Sequence, residues 1–152
     1  SEEPSDVAEF GDVARRIGRM VGEGLVLPER TIDIKVTGAT GPLSAELATP
    51  LAVTLTELLQ NAVEHAFPDA RSGTIGVELG REGDEVVLAV WDDGVGMRQD
   101  PFDPELEGAS GTRLGLQIVR SLIEEMGGRF DFVPGGGTRV ELRVRAVRAP
   151  SG

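Results

Sequence analysis

Residues 54–67 read TLTELLQNAVEHAF. The apolar residues Leu51, Leu55, Leu58, Leu59, Ala62 and Ala66 recur at helical spacing, so one face of a helix points into a core. Glu57, Asn61 and His65 follow one another at intervals of four and form a second, polar stripe on the same helix. A carboxylate, an amide and an imidazole aligned in this way can present ligands to a metal ion and to the phosphates it carries. A solvated polar face would give the same pattern, and this stretch alone leaves both readings open.

Working outward, the helix is expected over residues 45–66, with Pro50 setting off its first turn as a separate short helix and Pro68 ending it. Upstream, residues 1–9 are acidic, carry Pro4 and read as a loose leader. Residues 10–25 have helical periodicity, with Phe10, Val13, Ala14, Ile17, Met20, Val21 and Leu25 on one face. Residues 31–37 alternate as a half-buried strand, and 38–42 form a turn. Downstream, strands are expected over 74–79 and 85–91, joined by a tight turn at 81–84. A long glycine- and proline-bearing loop follows over 92–113, a length typical of lids and binding loops. A helix over 114–126 carries Leu114, Ile118, Leu122 and Met126 four apart, flanked by Val119 and Ile123, and Gly127-Gly128 caps it. Strands over 129–133 and 138–147 complete the domain, joined by Pro134 and three glycines, and residues 148–152 read as a flexible tail. The expected fold is α/β: a two-layer sandwich over residues 10–147, with a mixed, mostly antiparallel sheet covered on one face by three helices. The other sheet face is expected to be more polar.

A chain of 152 residues, 39% hydrophobic, can bury one real core. A formal net charge of -11 argues against nucleic acid as the main partner, because phosphate backbones need basic stripes. It leaves room for a nucleotide held by a few local donors and Mg2+. The absence of cysteine excludes disulfides and thiolate metal sites, and a single histidine argues against a histidine-rich zinc site. No apolar run reaches the roughly 18–20 residues of a membrane span and no signal peptide is visible, so a cytoplasmic location is expected. A first residue of Ser rather than Met fits a trimmed piece of a longer protein.

Two glycine-bearing segments carry chemistry. Asp92-Asp93-Gly94-Val95-Gly96 directly follows a buried strand. A carboxylate there can accept a hydrogen bond from an exocyclic amine such as that of adenine, and the glycines let backbone turn close to a ligand. A plain strand-to-loop turn also uses Asp and Gly. Gly111-Thr112-Arg113-Leu114-Gly115-Leu116 stands where a loop enters a helix. Unpaired N–H groups at a helix start suit phosphate, and ordinary capping is the alternative. The segment is neither a Walker A loop nor a G-x-G-x-x-G turn.

Taken together and in this order, the three segments resemble the GHKL, or Bergerat-fold, ATP-binding domain of sensor histidine kinases, DNA gyrase, Hsp90 and MutL. ELLQNAVEHAF is similar to the N box, DDGVGM to the G1 box, GTRLGLQIV to the G2 box, and GGGT near the end to the short final box. The likeness spans roughly residues 10–146. Its finer match is to histidine kinases of the HisKA_2/HWE kind, among them the cytosolic actinobacterial sensor kinases. The resemblance implies ATP and Mg2+ as ligands. It implies that Asn61 coordinates Mg2+ bridging the phosphates, with Glu57 positioning or activating on the magnesium side. Asp92 would take the adenine amino group, Gly94 and Gly96 would shape the pocket, and Met97 belongs to the same box. Gly111, Leu114 and Gly115 would form the lid hinge and the phosphate-facing turn, with Arg113 and Leu116 in the same ATP-binding set. Thr138 would support Asp92 and a water near adenine. His65 would donate to phosphate, or simply be a hydrogen-bonded histidine at a helix end.

The chain departs from the family pattern twice. Glu64 stands where many of these kinases carry a basic residue, which places an acid in the ATP-binding set. Phosphate neutralisation would then fall to Mg2+, His65 or a lid arginine such as Arg98 or Arg113. Arg113 itself occupies the second glycine of the usual G-x-G, which implies a less pliable lid and a phosphate contact. The implied function is the catalytic domain of a two-component sensor histidine kinase. Its partners would be a histidine-bearing dimerisation domain of the same kinase and, indirectly, a response regulator. With its only histidine inside the nucleotide site, the chain should bind ATP without autophosphorylating by itself. The alternatives are an anti-sigma-factor serine/threonine kinase of the same fold and a non-catalytic nucleotide-binding or interaction module.

Overall fold

In the computed structural model, which describes residues 7–23, 32–66, 72–94, 111–134 and 137–146, five strands form one open sheet and three helices lie over it. Helix α1 spans Phe10–Glu23 and α2 spans Ala45–Ala66. Between them come strand β2, Ile32–Gly38, and the short β3, Pro42–Ser44. Strands β4, Gly73–Glu82, and β5, Glu85–Asp92, make a hairpin. Helix α3 spans Gly111–Glu125, and β6, Arg129–Pro134, pairs with β7, Thr138–Arg145. The order across the sheet is β2-β4-β5-β7-β6. Every pair is antiparallel except β2 with β4, which is parallel because α2 crosses between them. This is the expected two-layer, mixed and mostly antiparallel arrangement.

Strand alternation decides which side chains meet the helices. Ile75, Val77 and Leu79 of β4, Val86, Leu88 and Val90 of β5, and Val140, Leu142 and Val144 of β7 are all buried. They pack against Leu51, Leu55 and Leu59 of α2, which are fully buried. The opposite face is polar, as expected, and carries ion pairs of Arg139 with Glu78 and Glu141, Arg143 with Glu82, Glu85 and Glu141, and Arg129 with Glu85.

The structure corrects the sequence reading in four places. Residues 7–9, read as part of a loose leader, form strand β1, Val7–Glu9, which pairs antiparallel with β3. Pro50 does not divide α2. It falls in the second turn, where the residue four positions back is the exposed Glu46, while the buried Thr54 hydroxyl donates to the Pro50 carbonyl at 2.8 Å. On α1 the buried face is made by Phe10, Gly11, Ala14 and Gly18, and Met20, expected on that face, is 67% exposed. On α3 the helix begins three residues earlier than expected and its buried face is turned. Leu116, Val119 and Ile123 are buried, whereas Ile118 and Leu122 are exposed. Two apolar stripes overlap on α3, and packing against α2 and β6 selects one of them.

Candidate functional site

Asp92 is the last residue of β5, and its parity with Val86, Leu88 and Val90 turns its side chain to the helix layer. It lies in one row of the sheet with Ile75 of β4 and Thr138 of β7. The carboxylate is buried, only 8% exposed, and accepts the backbone N–H of Gly94 at 3.0 Å and that of Thr138. Burial pushes its carboxyl above the ordinary range; the two N–H donors act the other way, and the charge of Asp93 adds a smaller upward push. A carboxylate offers about four acceptor positions, so this one retains capacity for a ligand's donor.

The backbone around Asp92 is fixed from both sides. The Asp93 N–H donates to the Thr74 carbonyl at 3.2 Å, and the Thr74 N–H donates to Asp93 Oδ1 at 2.8 Å, which latches the end of β5 to the start of β4. On the other side Gly137, at φ +131°, brings its backbone against the Asp92 carbonyl, in the space a Cβ would need. Neither Gly137 nor the Asp93–Thr74 latch was among the candidate residues of the sequence reading. The signal for Gly137 was the GGGT string, which pointed to Thr138 and also contained its neighbour.

The second part of the site is the polar stripe of α2. Asn61 is buried, at 6% exposure, although it carries an amide. Glu57, one turn earlier, is half-buried and lies directly against Gly115 of α3. Glu64 is exposed, one residue outside the buried stripe. Thus α2 presents a carboxylate against Gly115 of α3 and, one turn further on, a buried amide. Gly111, Arg113, Leu114, Gly115 and Leu116 all fall within those turns rather than in a preceding loop. Leu116 is buried and serves the core. His65 lies in the last turn of α2. The side chains of His65, Arg113 and Leu114, and the whole of Gly96, Met97 and Arg98, lie outside the described residues. The structure therefore brings Asp92, Gly94 and Thr138 together at one sheet end, and Glu57 with Gly115 across the α2–α3 contact.

The sequence and the fold are similar to those of known proteins. The sequence profile of the histidine kinase-, DNA gyrase B- and HSP90-like ATPases matches residues 46–148. Sensor histidine kinase PdtaS of Mycolicibacterium smegmatis is 42% identical over 126 residues, which cover 80% of this chain and 24% of that protein. The chain thus spans about a quarter of the length of this curated relative. Among solved structures, the histidine kinase domain of the Erythrobacter litoralis EL346 blue-light-activated histidine kinase superposes with a TM-score of 0.76 at 26% identity. That match covers 91% of this chain and 61% of the other. The nucleotide-free catalytic domain of histidine kinase ThkA superposes with a TM-score of 0.73 at 21% identity, covering 92% of this chain and 94% of that domain, a likeness of fold. With the profile matched over most of its length and the same two-layer fold, the chain belongs to the family of histidine kinase-, DNA gyrase B- and HSP90-like ATPases.

Proposed function

We propose that the chain is the ATP-binding catalytic domain of a two-component sensor histidine kinase, which passes the γ-phosphoryl group of Mg·ATP to a histidine on a separate dimerisation domain. The observation that carries the reading is Asp92: a buried carboxylate at a strand end, held by two backbone N–H groups and with acceptor capacity left. A ligand that brings its own donor offsets that burial further than the two N–H groups do, and the amino group of adenine is such a donor. Relatives named as sensor histidine kinases support the kinase reading over other members of the family.

The family resemblance, together with the positions of Asp92, Asn61 and Glu57, supports the following residue roles. Asp92 accepts from the adenine amine, and Thr138 and Gly94 hold its carboxylate in line for that bond. Asn61 and Glu57 supply hard oxygen donors one turn apart on α2, a set that fits Mg2+, which takes one or two protein oxygens together with phosphate. When bound, Mg2+ neutralises charge on the β- and γ-phosphates. The N–H groups at the start of α3, Gly111 to Leu114, suit the same phosphates, and the family resemblance assigns further donors to Arg113 and His65, whose side chains lie outside the described residues. Gly96 and Met97, outside the described residues, are assigned to the adenine side by the family resemblance alone. The acceptor histidine and the response regulator lie on partners of this domain. A domain that draws on cellular Mg·ATP works in the cytoplasm, and among the described residues no helix is long and apolar enough to cross a membrane.

The test is calorimetric titration of the purified 152-residue chain with ADP and with a non-hydrolysable ATP analogue, each with and without Mg2+. Binding with a Kd on the order of micromolar, strengthened by the metal, is expected. No heat with any nucleotide under any condition would refute the assignment.

A further inference from the structure

Gly115 is the fifth residue of α3, inside regular helix, where alanine is favoured over glycine by about 1 kcal/mol. The helix itself therefore gains nothing from glycine here. The three nearest atoms that a Cβ at this position would meet all belong to the Glu57 carboxyl group, with Cδ at 2.7 Å and Oε1 at 3.0 Å. Real carbon contacts are longer, so a methyl group would have to push this carboxylate aside by roughly 1 Å. No backbone atom stands closer, so what a side chain at residue 115 would disturb is the position of Glu57.

We propose that Gly115 is a positioning residue for Glu57: its bare backbone lets α3 close on α2 and acts as the wall against which the Glu57 carboxylate is seated toward the metal. This inference rests on the nucleotide and Mg2+ reading of the site. Magnesium demands near-ideal octahedral geometry with oxygens at about 2.0–2.1 Å, so a carboxylate displaced by roughly 1 Å no longer serves it, directly or through an ordered water. Gly115 belongs to the helix whose first turns carry the glycine-bearing phosphate segment, and Glu57 to the helix that carries Asn61. The contact thus couples the position of α3 to the metal side of the site. Any movement of α3 that opens this contact releases the carboxylate, and any movement that closes it seats the carboxylate again.

The experiment compares wild type, Gly115→Ala, Glu57→Asp and the double variant, all as the full chain, by calorimetry with ADP in EDTA and in Mg2+, with thermal melts alongside. Gly115→Ala is expected to lose distinctly less ADP affinity in EDTA than in Mg2+ and to keep its melting temperature at or above wild type. The gain in affinity that Mg2+ confers should fall by about 10- to 100-fold, the range seen when groups that orient a metal's ligands are disturbed. Glu57→Asp shortens the side chain by one methylene and makes room for the added methyl group, so the double variant should recover part of the metal gain that Gly115→Ala loses. Three results would overturn the proposal: an unchanged metal gain in Gly115→Ala, an equal loss of affinity with and without metal, or losses in the two single variants that simply add. If metal does not strengthen nucleotide binding by the wild type, the metal reading fails and the proposal fails with it. That outcome is recognisable because it shows in the wild type itself.

Discussion

Replacing Asp92 by Asn should weaken nucleotide binding and at the same time change the way stability depends on pH. The substitution is close to isosteric and keeps one oxygen for the Gly94 or Thr138 N–H, but it removes the charge and turns one acceptor into a donor. A hydrogen bond to a charged group contributes about 1.5–3 kcal/mol, so loss of the bond from the adenine amine should cost about 10- to 150-fold in ADP affinity. Discrimination should also fall: wild type should reject IDP, whose base presents a carbonyl in place of the amine, and Asp92→Asn should not. The stability effect has a definite sign. Burial raises the carboxyl above its ordinary 3.8, so between that value and the folded one the native state holds more protons than the unfolded chain. The contribution of Asp92 to stability therefore falls as pH rises through that window and stays low at neutral pH. The amide that replaces it does not titrate. The melting-temperature difference, wild type minus variant, should accordingly be larger on the acid side than at pH 7, with other carboxylates cancelling in the comparison. Calorimetric Kd values for ADP and IDP at pH 7, and melts from about pH 4 to 7.5, test both parts. A variant that binds ADP as tightly as wild type, with a gap that stays flat across pH, would refute the argument.

Two further expectations concern the frame around the site. Gly137→Ala forces a side chain into a φ of +131° and against the Asp92 carbonyl, so it should destabilise by about 1–3 kcal/mol and lower the melting temperature by about 2–12 °C; an unchanged melt would show that the β5–β7 contact tolerates a Cβ. Arg143→Met removes the cation shared by Glu82, Glu85 and Glu141 on the outer sheet face; Arg129 still faces Glu85 and Arg139 still faces Glu141, but Glu82 loses its Arg143 partner and the cluster loses one positive charge. The substitution should lower the melting temperature at low salt, and the gap should narrow as salt is added. The Arg143 hydrogen bond holds the Glu82 carboxyl below its ordinary 4.5, so its contribution is present above that value and is lost as pH falls through the folded value. A gap that ignores both salt and acid would count against the ion-pair account.

The fold was legible where a single period dominates. Strands β4 and β7 have one apolar face, and α2 has a broad one, so their burial follows from alternation and from the 3.6-residue turn alone. Legibility failed where two faces competed. On α1 the apolar Met20 is exposed while Gly18 is buried, because Gly18 lies close against Ile34 and Val36 of β2, where a small residue fits. On α3 the stripe through Ile118 and Leu122 and the one through Leu116, Val119 and Ile123 are nearly equal in the sequence, and only the surface offered by α2 and β6 chooses between them. Strand β1 is three residues long and gains its identity from its partner β3, so no local pattern could mark it.

The candidate site divides in the same way. Which residue types are present and in what order is a property of the sequence: the acid and amide spaced four apart on α2, the acid closing a buried strand, and the glycines that follow. These were enough to indicate a nucleotide site and its family, because spacing along a helix or strand fixes direction without reference to the rest of the molecule. Tertiary structure alone decided that Asp92 is buried and its carboxyl raised, that Gly137 props the Asp92 carbonyl and Asp93 ties down Thr74, and that Glu57 rests on Gly115. The three contacts join residues at least 19 positions apart in the chain. Burial and contact between distant segments depend on how sheet and helices pack, and no local period encodes that distance.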